Sequence, residues 1–301
     1  MLVSIAMATY NGARYLREQL DSILCQSVED FELIICDDCS TDATWDILQE
    51  YEQKDSRIHC FRNDTNLGFV KNFEKTFTLC RGEYIACSDQ DDVWLGNHLQ
   101  ILLHSIKDYD LVCGNAYLTD ENLVKSDSTL LDLLNIDFFP VTKNEWFFFL
   151  LHNSIFQGAA LLFRRTLLKS ALPFPANICF HDYWLALHAA SQNGVAYVID
   201  SILYYRRHDN TVTKINRASL RHIRNTSILY NKRQVSILSE LKKSVFSKTG
   251  KAQIDSAIKY YSKGNKIFKI KYFIKNYKSI YLSNKPFPFC LRLLKKILVE
   301  C

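Results

Sequence analysis

Over the first ~115 residues, short apolar runs alternate with stretches whose apolar positions recur every three or four residues. Leu2–Ala8, Phe31–Cys36, Arg57–Phe61, Tyr84–Cys87 and Leu111–Tyr117 read as strands. Between them the spacing predicts helices over about 13–26, with Tyr15, Leu16, Leu20, Ile23 and Leu24 on one face, and over about 42–52, 66–80 and 95–107. Asn66 can cap the third helix and Gly82 end it. Strands alternating with helices of this length predict right-handed βαβ units: an α/β fold with a mostly parallel sheet and helices on both faces. Ligands then bind beyond the carboxyl ends of the strands. Four polar clusters fall at such ends: Thr9-Tyr10-Asn11, Asp37-Asp38, Asn66 to Lys71 and Asp89 to Asp92.

From about 118 to 210 the pattern is irregular. A polar loop is expected near Asp120–Ser128, then an aromatic stretch over 146–151 and an apolar segment Gly158–Phe163. A helix starts near His181, and Val195–Ile199 and Ile202–Arg206 read as two strands. Beyond 214 only Lys-rich helical patterns remain. Charge divides the chain at the same place. The net +5 conceals 21 Lys/Arg against three acids in 214–301, a local +18, so residues 1–213 carry −13. That split predicts a catalytic domain over 1–213 and a basic helical region over 214–301 with different partners.

Several classes are disfavoured. The opening apolar run is short and lacks a basic n-region, so the ten cysteines read as free intracellular thiols. Cys36 and Cys39 have no second pair with which to hold zinc, and Asp37-Asp38 between them opposes a thiolate. The densest apolar run, Trp146–Leu151, is far too short to span a bilayer.

The most informative chemistry is Asp89-Gln90-Asp91, directly after the buried run Tyr84–Cys87. Carboxylates spaced i, i+2 at a strand end can meet one hard cation, Mg²⁺ or Mn²⁺, whose other positions a substrate phosphate fills. The other clusters have bland readings. Ser40, Thr41 and Asp42 could simply cap a helix, which leaves the adjacent acids Asp37-Asp38 unexplained; one of these could accept from the imide of a pyrimidine. Lys71 on a first helical turn would point at an anion. Asp182 could be an ordinary N-terminal acid, and Arg206, Arg207 and His208 a solvated strand end, a pyrophosphate clamp or a further metal ligand.

Taken in order, Ala8-Thr-Tyr-Asn-Gly12, Asp37-Asp-x-Ser-Thr-Asp42, Asn66-Leu-Gly68, Gly82-Glu-Tyr-Ile85, Asp89-Gln-Asp-Asp92, His181-Asp-Tyr-Trp184 and Tyr205-Arg-x-His208 resemble the family 2 glycosyltransferases. The finer resemblance is to bacterial rhamnosyltransferases of surface-polysaccharide assembly. It implies the GT-A nucleotide-sugar-binding fold over residues 1–210, a basic helical extension, and inverting transfer of one sugar from a dTDP- or UDP-sugar, foremost dTDP-L-rhamnose. The acceptor would be a saccharide, lipid-linked. By position, Thr9, Tyr10, Asn11, Asp38, Lys71, Asp89 and Arg206 would contact the donor; Asp91, with Asp89 and His208, would hold Mg²⁺ or Mn²⁺; Asp182 would be the general base; Trp184 would meet the acceptor. Three departures stand out: Cys39 replaces the usual glycine, Lys71 stands where arginine is common, and His181 precedes the base where an acid is frequent. The Gln-x-x-Arg-Trp motif of processive synthases is missing, which favours single-sugar transfer. A sugar nucleotidyltransferase would need a Gly-rich basic triphosphate loop after the first strand, where this chain has Thr9-Tyr10-Asn11-Gly12-Ala13. A non-catalytic carbohydrate-binding or membrane-scaffold protein is the third reading. The basic tail, with Tyr, Phe, Ile and Leu interleaved, suits an anionic membrane surface, which would make the protein cytoplasmic and peripheral on the inner face of the cell membrane; a solvated bundle ranks second and nucleic acid is not expected.

Overall fold

The computed structural model describes residues 2–134, 136, 139–178, 180–208, 220–245, 247–262, 268–269, 271–272 and 274–276, the side chains of 220–230 excepted. The predicted alternation is present: β1 (Val3–Thr9), α1 (Leu16–Leu24), β2 (Phe31–Asp37), α2 (Thr44–Lys54), β3 (Ile58–Arg62), α3 (Phe69–Leu79), β4 (Tyr84–Ser88), β5 (Val93–Trp94), α4 (His98–Ile106) and β6 (Leu111–Thr119). There follow β7 (Lys125–Thr129), α5 (Leu130–Leu134), α6 (Lys143–Leu150), β8 (Leu161–Arg164), α7 (Leu168–Ala171), α8 (His181–Ser191), β9 (Val195–Arg206), α9 (Leu220–Ser244) and α10 (Lys248–Tyr261).

Val3, Ile5, Ala6 and Met7 are fully buried, because β1 is an inner strand of a sheet covered on both faces. The sheet runs β3-β2-β1-β4-β8-β6-β9-β5, with β7 added to β6. It is parallel across β3, β2, β1 and β4. The far half is mixed: β8 is antiparallel to both β4 and β6, β6 and β9 are parallel, and β5 and β7 pair antiparallel. The fold is therefore mixed α/β, with an all-parallel half built from the first 88 residues and a further parallel pair, β6 and β9, in the mixed half. The two strands expected over 195–206 are one, bulged where the register jumps from Gly114↔Val198 to Asn115↔Ser201; the Asn115 amide donates to the Ile199 carbonyl at 3.1 Å across the irregularity.

The chain divides into two compact units, residues 1–134, 155–174 and 179–209, and residues 135–154, 175–178 and 210–301. Every candidate site residue belongs to the first. In the second, α6 opens with a capping box between Thr142 and Glu145, and α9 packs on α10 through Ile237, Leu238, Leu241, Ile254 and Ala257. Buried His152 joins the hydroxyls of Tyr261 (3.1 Å) and Tyr272 (3.0 Å) in this unit. Among the described residues no helix is long and apolar enough to cross a membrane. Residues 214–219, 246, 263–267, 270, 273 and 277–301 of the expected basic region lie outside the described residues.

Candidate active site

The register sets Thr9 beside Asp37 and Met7 beside Ser88, so the clusters after β1, β2 and β4 meet along one edge of the sheet. Beyond Thr9 the backbone turns through Asn11 in the left-handed region (φ 48). The loop after β2 receives it: Asn11 N–H donates to Ser40 Oγ (2.9 Å), Gly12 N–H to Thr44 Oγ1 (2.8 Å) and Thr41 N–H to Asn11 Oδ1 (2.8 Å). Ser40 is thus a loop-to-loop clamp rather than a cap, whereas Asp42 does both, accepting from Ala13 N–H (3.2 Å) and from Thr44 N–H (3.0 Å) where α2 begins; Ala43 makes no side-chain cap. Asp37 is fully buried and accepts from Thr9 Oγ1 (3.1 Å), Ser40 Oγ (2.5 Å) and Ser40 N–H (3.0 Å). To close this turn Cys39 adopts φ 65, the left-handed conformation that glycine tolerates best.

Asp38 is buried and faces the next loop. Its carboxylate accepts from the Leu67 and Gly68 N–H groups (2.8 Å each) and from Asn63 Nδ2 (2.7 Å). It therefore fixes the approach to α3, which starts at Phe69 after left-handed Gly68 (φ 78) with no Asn66 side-chain cap. Lys71 on the first turn keeps an exposed ammonium beside Glu74 (2.5 Å) and the Phe174 carbonyl (3.3 Å). The Tyr10 ring is 48% exposed, free to meet a flat ligand.

The Asp89-Gln90-Asp91-Asp92 turn is tied to that edge by its second residue. The Gln90 amide takes both backbone groups of Tyr10: Tyr10 N–H donates to Oε1 (2.9 Å) and Nε2 donates to Tyr10 O (3.1 Å). A Cβ on Gly12 would lie 2.2 Å from Gln90 Oε1, so a larger residue there would displace the Gln90 amide from Tyr10. Asp91 Oδ2 meets His208 Nε2 at 2.8 Å, and the His208 ring lies 5.0 Å from that of Tyr15. Asp92 is fully buried: Oδ1 accepts from Arg206 N–H (3.0 Å), and Oδ2 has no hydrogen-bond partner among the described residues. Burial, then the charges of Asp91 and Asp89, push Asp92 well above the usual carboxylate range. Burial, then Asp91, then Asp182, push Asp89 up to about 7. Such crowding of negative charge favours a cation.

Asp182 stands at the N-terminus of α8. Its Oδ1 accepts from Tyr183 N–H (2.6 Å), and the Gly158 N–H also donates to it. Burial pushes this carboxyl up to about 7, opposed by those two backbone bonds. A general base that titrates near neutrality is matched to proton abstraction at cellular pH. Preceding it, His181 is buried, stacked on Phe73 (centroids 4.0 Å apart), and burial lowers it to about 3, so it is a neutral packing residue.

Two expected contacts are directed elsewhere. The Arg206 side chain is 2% exposed and spends its guanidinium on Asp91 O (2.8 Å), Glu121 O (2.6 Å), Glu18 and the Tyr15 ring. No face of it remains for a pyrophosphate; it positions the acidic turn. Trp184 is buried, and its Nε1 donates to Ala171 O at 2.8 Å, so the indole belongs to the core between α7 and α8 and not to an acceptor surface.

The family model for glycosyl transferase family 2 matches residues 4–172. The chain belongs to this family. Among curated relatives of this family 2 chain, TuaG of Bacillus subtilis, whose name assigns it provisionally to teichuronic acid biosynthesis, is 37% identical over 131 residues, 44% of this chain and 51% of its own. The Escherichia coli UDP-Glc:alpha-D-GlcNAc-diphosphoundecaprenol beta-1,3-glucosyltransferase WfaP is 39% identical over 103 residues, 34% of this chain and 40% of its own. The chain thus spans about half the length or less of these relatives. Among solved structures, S. aureus TarS 1-349 in complex with UDP-GlcNAc aligns with TM-score 0.61 at 18% identity, covering all of this chain and 81% of that one. The mannosyltransferase PcManGT of Pyrobaculum calidifontis, in complex with GDP-Man and Mn2+, aligns with TM-score 0.59 at 16% identity, covering 99% and 79%. These likenesses establish the GT-A-like fold.

Gln90, Gly158 and Asn63 escape a reading of the family 2 sequence. Gln90 sits inside the acidic triplet, yet its partner is 80 residues away, and nothing local signals the pairing. Gly158 gives its N–H to Asp182 from the segment before β8, which sequence marks only as apolar.

Proposed function

We propose that this chain is an inverting, metal-dependent glycosyltransferase that moves one sugar from a dTDP- or UDP-sugar, foremost dTDP-L-rhamnose, to a lipid-linked saccharide in bacterial surface-polysaccharide assembly. The observation that carries this reading is a pair of carboxyls, Asp89 and Asp182, raised by burial and within electrostatic reach of each other, in a family 2 chain. Asp182 would take the proton of an acceptor hydroxyl as that oxygen attacks the anomeric carbon from the face opposite the leaving diphosphate. Its N–H donors, Tyr183 and Gly158, would hold the carboxylate in line. Tyr10 and Asp38 would flank the base, Thr9 and Asn11 shape the loop that receives the nucleoside, and Lys71 would meet the nucleotide. Ordered placement of donor and acceptor supplies much of the remaining rate.

The donor set suits a hard cation. Among the described residues no three His, Cys, Asp or Glu side chains gather at one point. Asp91 with His208, and Asp89 behind them, would hold Mg²⁺ or Mn²⁺ only with phosphate oxygens completing the shell, as Mg²⁺ sites commonly do. Bound there, the cation would neutralise charge growing on the leaving diphosphate. PcManGT is solved with Mn2+ and TarS with UDP-GlcNAc, and WfaP is named for a diphosphoundecaprenol-linked acceptor; those names support a divalent ion, a nucleotide-sugar donor and a lipid-linked acceptor here. A catalytic domain over 1–213 would then be held at the inner face of the cell membrane by the basic region 214–301.

Mass spectrometry of products from a panel of nucleotide sugars offered with lipid-linked acceptors tests this. Sugar transfer that is lost on chelation and in Asp182→Asn is expected. Donor binding without transfer to any acceptor would favour a non-catalytic carbohydrate-binding protein.

A further inference from the structure

The polar stretch expected as a loop near Asp120–Ser128 is one over 120–124, but from Lys125 it forms β7 against β6, and no residue of Lys125–Thr129 is apolar or buried. Core packing therefore does not explain its composition. The strand bounds a cleft of about 370 Å³ lined by Tyr117, Lys125, Ser126, Asp127, Ser128 and Thr129. Tyr117 is its aromatic wall. The ring sits opposite Tyr204 across β6 and β9, with centroids 5.7 Å apart, and the Lys125 ammonium lies 3.4 Å over it.

A sugar ring presents polarised C–H groups on its faces and hydroxyls around its rim. Recognition calls for an aromatic face of negative potential, as cation–π contacts also use, with hydroxyl, carboxylate and ammonium groups around it. This cleft offers both, at a volume within the range of small-ligand pockets. Its position is informative. The loop from β6 to β7 passes Glu121, whose carbonyl accepts from the Arg206 guanidinium that also holds the Asp91 carbonyl. Along the sheet, β1, β4 and β8 separate β2, after which Asp38 follows, from β6. The cleft is thus on the side of the acidic turn away from the base-binding loops.

We propose that this cleft is a saccharide subsite, holding a ring of the acceptor against Tyr117 while Ser126, Asp127 and Ser128 bond its hydroxyls and Lys125 swings off the ring to join them. Its role as an acceptor subsite rests on the glycosyltransferase reading; its affinity for sugar does not.

Saturation-transfer NMR on the full chain, with UDP and Mg²⁺ and with octyl glycosides of glucose and N-acetylglucosamine below micelle concentration, separates the two. Wild type should transfer saturation to the sugar-ring protons. Tyr117→Ala should bind the glycosides at least ~10-fold more weakly while UDP signals persist, and Tyr117→Phe should keep them. Because Tyr117 also braces β9, the exposed double variant Lys125→Ala with Ser128→Ala provides a second reading, expected to weaken the same signals without altering the melting curve. Ring signals absent from wild type that binds UDP, or unchanged in both variants, overturn the subsite. Ring signals that depend on Tyr117 in a chain that binds no UDP uphold a sugar site and overturn the donor reading instead.

Discussion

Replacing Asp182 by Asn keeps the shape of the side chain and removes its ionisation. An unfolded chain ionises this carboxyl near 4, whereas desolvation of the half-buried group pushes it up to about 7 in the native protein. Between those values the native state holds more protons than the unfolded state, so stability falls as pH rises through the window. Three units at about 1.4 kcal/mol each make a loss of about 4 kcal/mol by pH ~8. The Asn variant carries no charge at any of these pH values. Its stability relative to wild type should therefore climb by up to about 4 kcal/mol from pH ~4 to pH ~8, even though its amide sits less well against the Tyr183 and Gly158 N–H groups. Activity should move the opposite way. Wild-type turnover at pH ~6 should be about a tenth of its plateau, since only that fraction of a base with this pKa is ionised. The variant should fall by at least ~10²-fold at the plateau with donor affinity retained. Urea titrations at several pH values, paired with initial rates and nucleotide calorimetry, measure all three. Parallel stability curves for the two proteins, or a wild-type rate flat from pH ~5.5 to ~8, would refute the assignment of Asp182 as a desolvated base. Loss of donor binding with turnover unchanged would move Asp182 into the donor pocket.

Other expectations are equally concrete. Asp91→Ala should abolish the rise in melting temperature that UDP with Mn²⁺ gives wild type, and wild-type metal affinity should weaken as pH drops through about 7, where Asp89 takes up a proton; full activity in excess chelator would contradict both. Gln90→Leu loses two bonds to the Tyr10 backbone, so it should cost about 1–2 kcal/mol and raise the donor KM, read by thermal melts and kinetics. Cys39→Gly relieves a left-handed residue worth about 1–2 kcal/mol, less about 0.5–1 kcal/mol for added unfolded freedom, so a net gain of about 0.5–1 kcal/mol is expected by urea denaturation. Flotation with liposomes should show binding to anionic and much less to neutral vesicles, weakened but not abolished by salt and lost without 214–301; Lys232, Arg233, Lys248, Lys251, Lys259, Lys271 and Lys275 are exposed in that region, beside exposed Ile274, at about 1 kcal/mol per basic residue.

What could be read from sequence alone follows from the range of the interactions involved. The parallel half was legible because each of its strands is an apolar run and each helix an amphipathic stripe, patterns set by neighbours in the chain. The edge on which Thr9, Asp37 and Asp89 meet followed from topology, since strands in right-handed βαβ units all end on one side. Beyond residue 118 local pattern fails. Strand β7 has no apolar face to announce it, and β9 hides its unity behind a bulge at Ile199 and Asp200. Side-chain roles were harder still. Arg206 and Trp184 were expected at the ligand because their chemistry suits phosphate and sugar, but a guanidinium and an indole are also the groups best able to close a polar network or fill a core. Which use prevails depends on partners far away in sequence: Glu18 and Glu121 for one, Ala171 for the other. The converse holds for Asp182. By local pattern it looked like an ordinary helix-start acid, and only the resemblance marked it as a base; desolvation, with an N–H from Gly158 contributed by a different segment, gives it the raised titration that the pH series above tests.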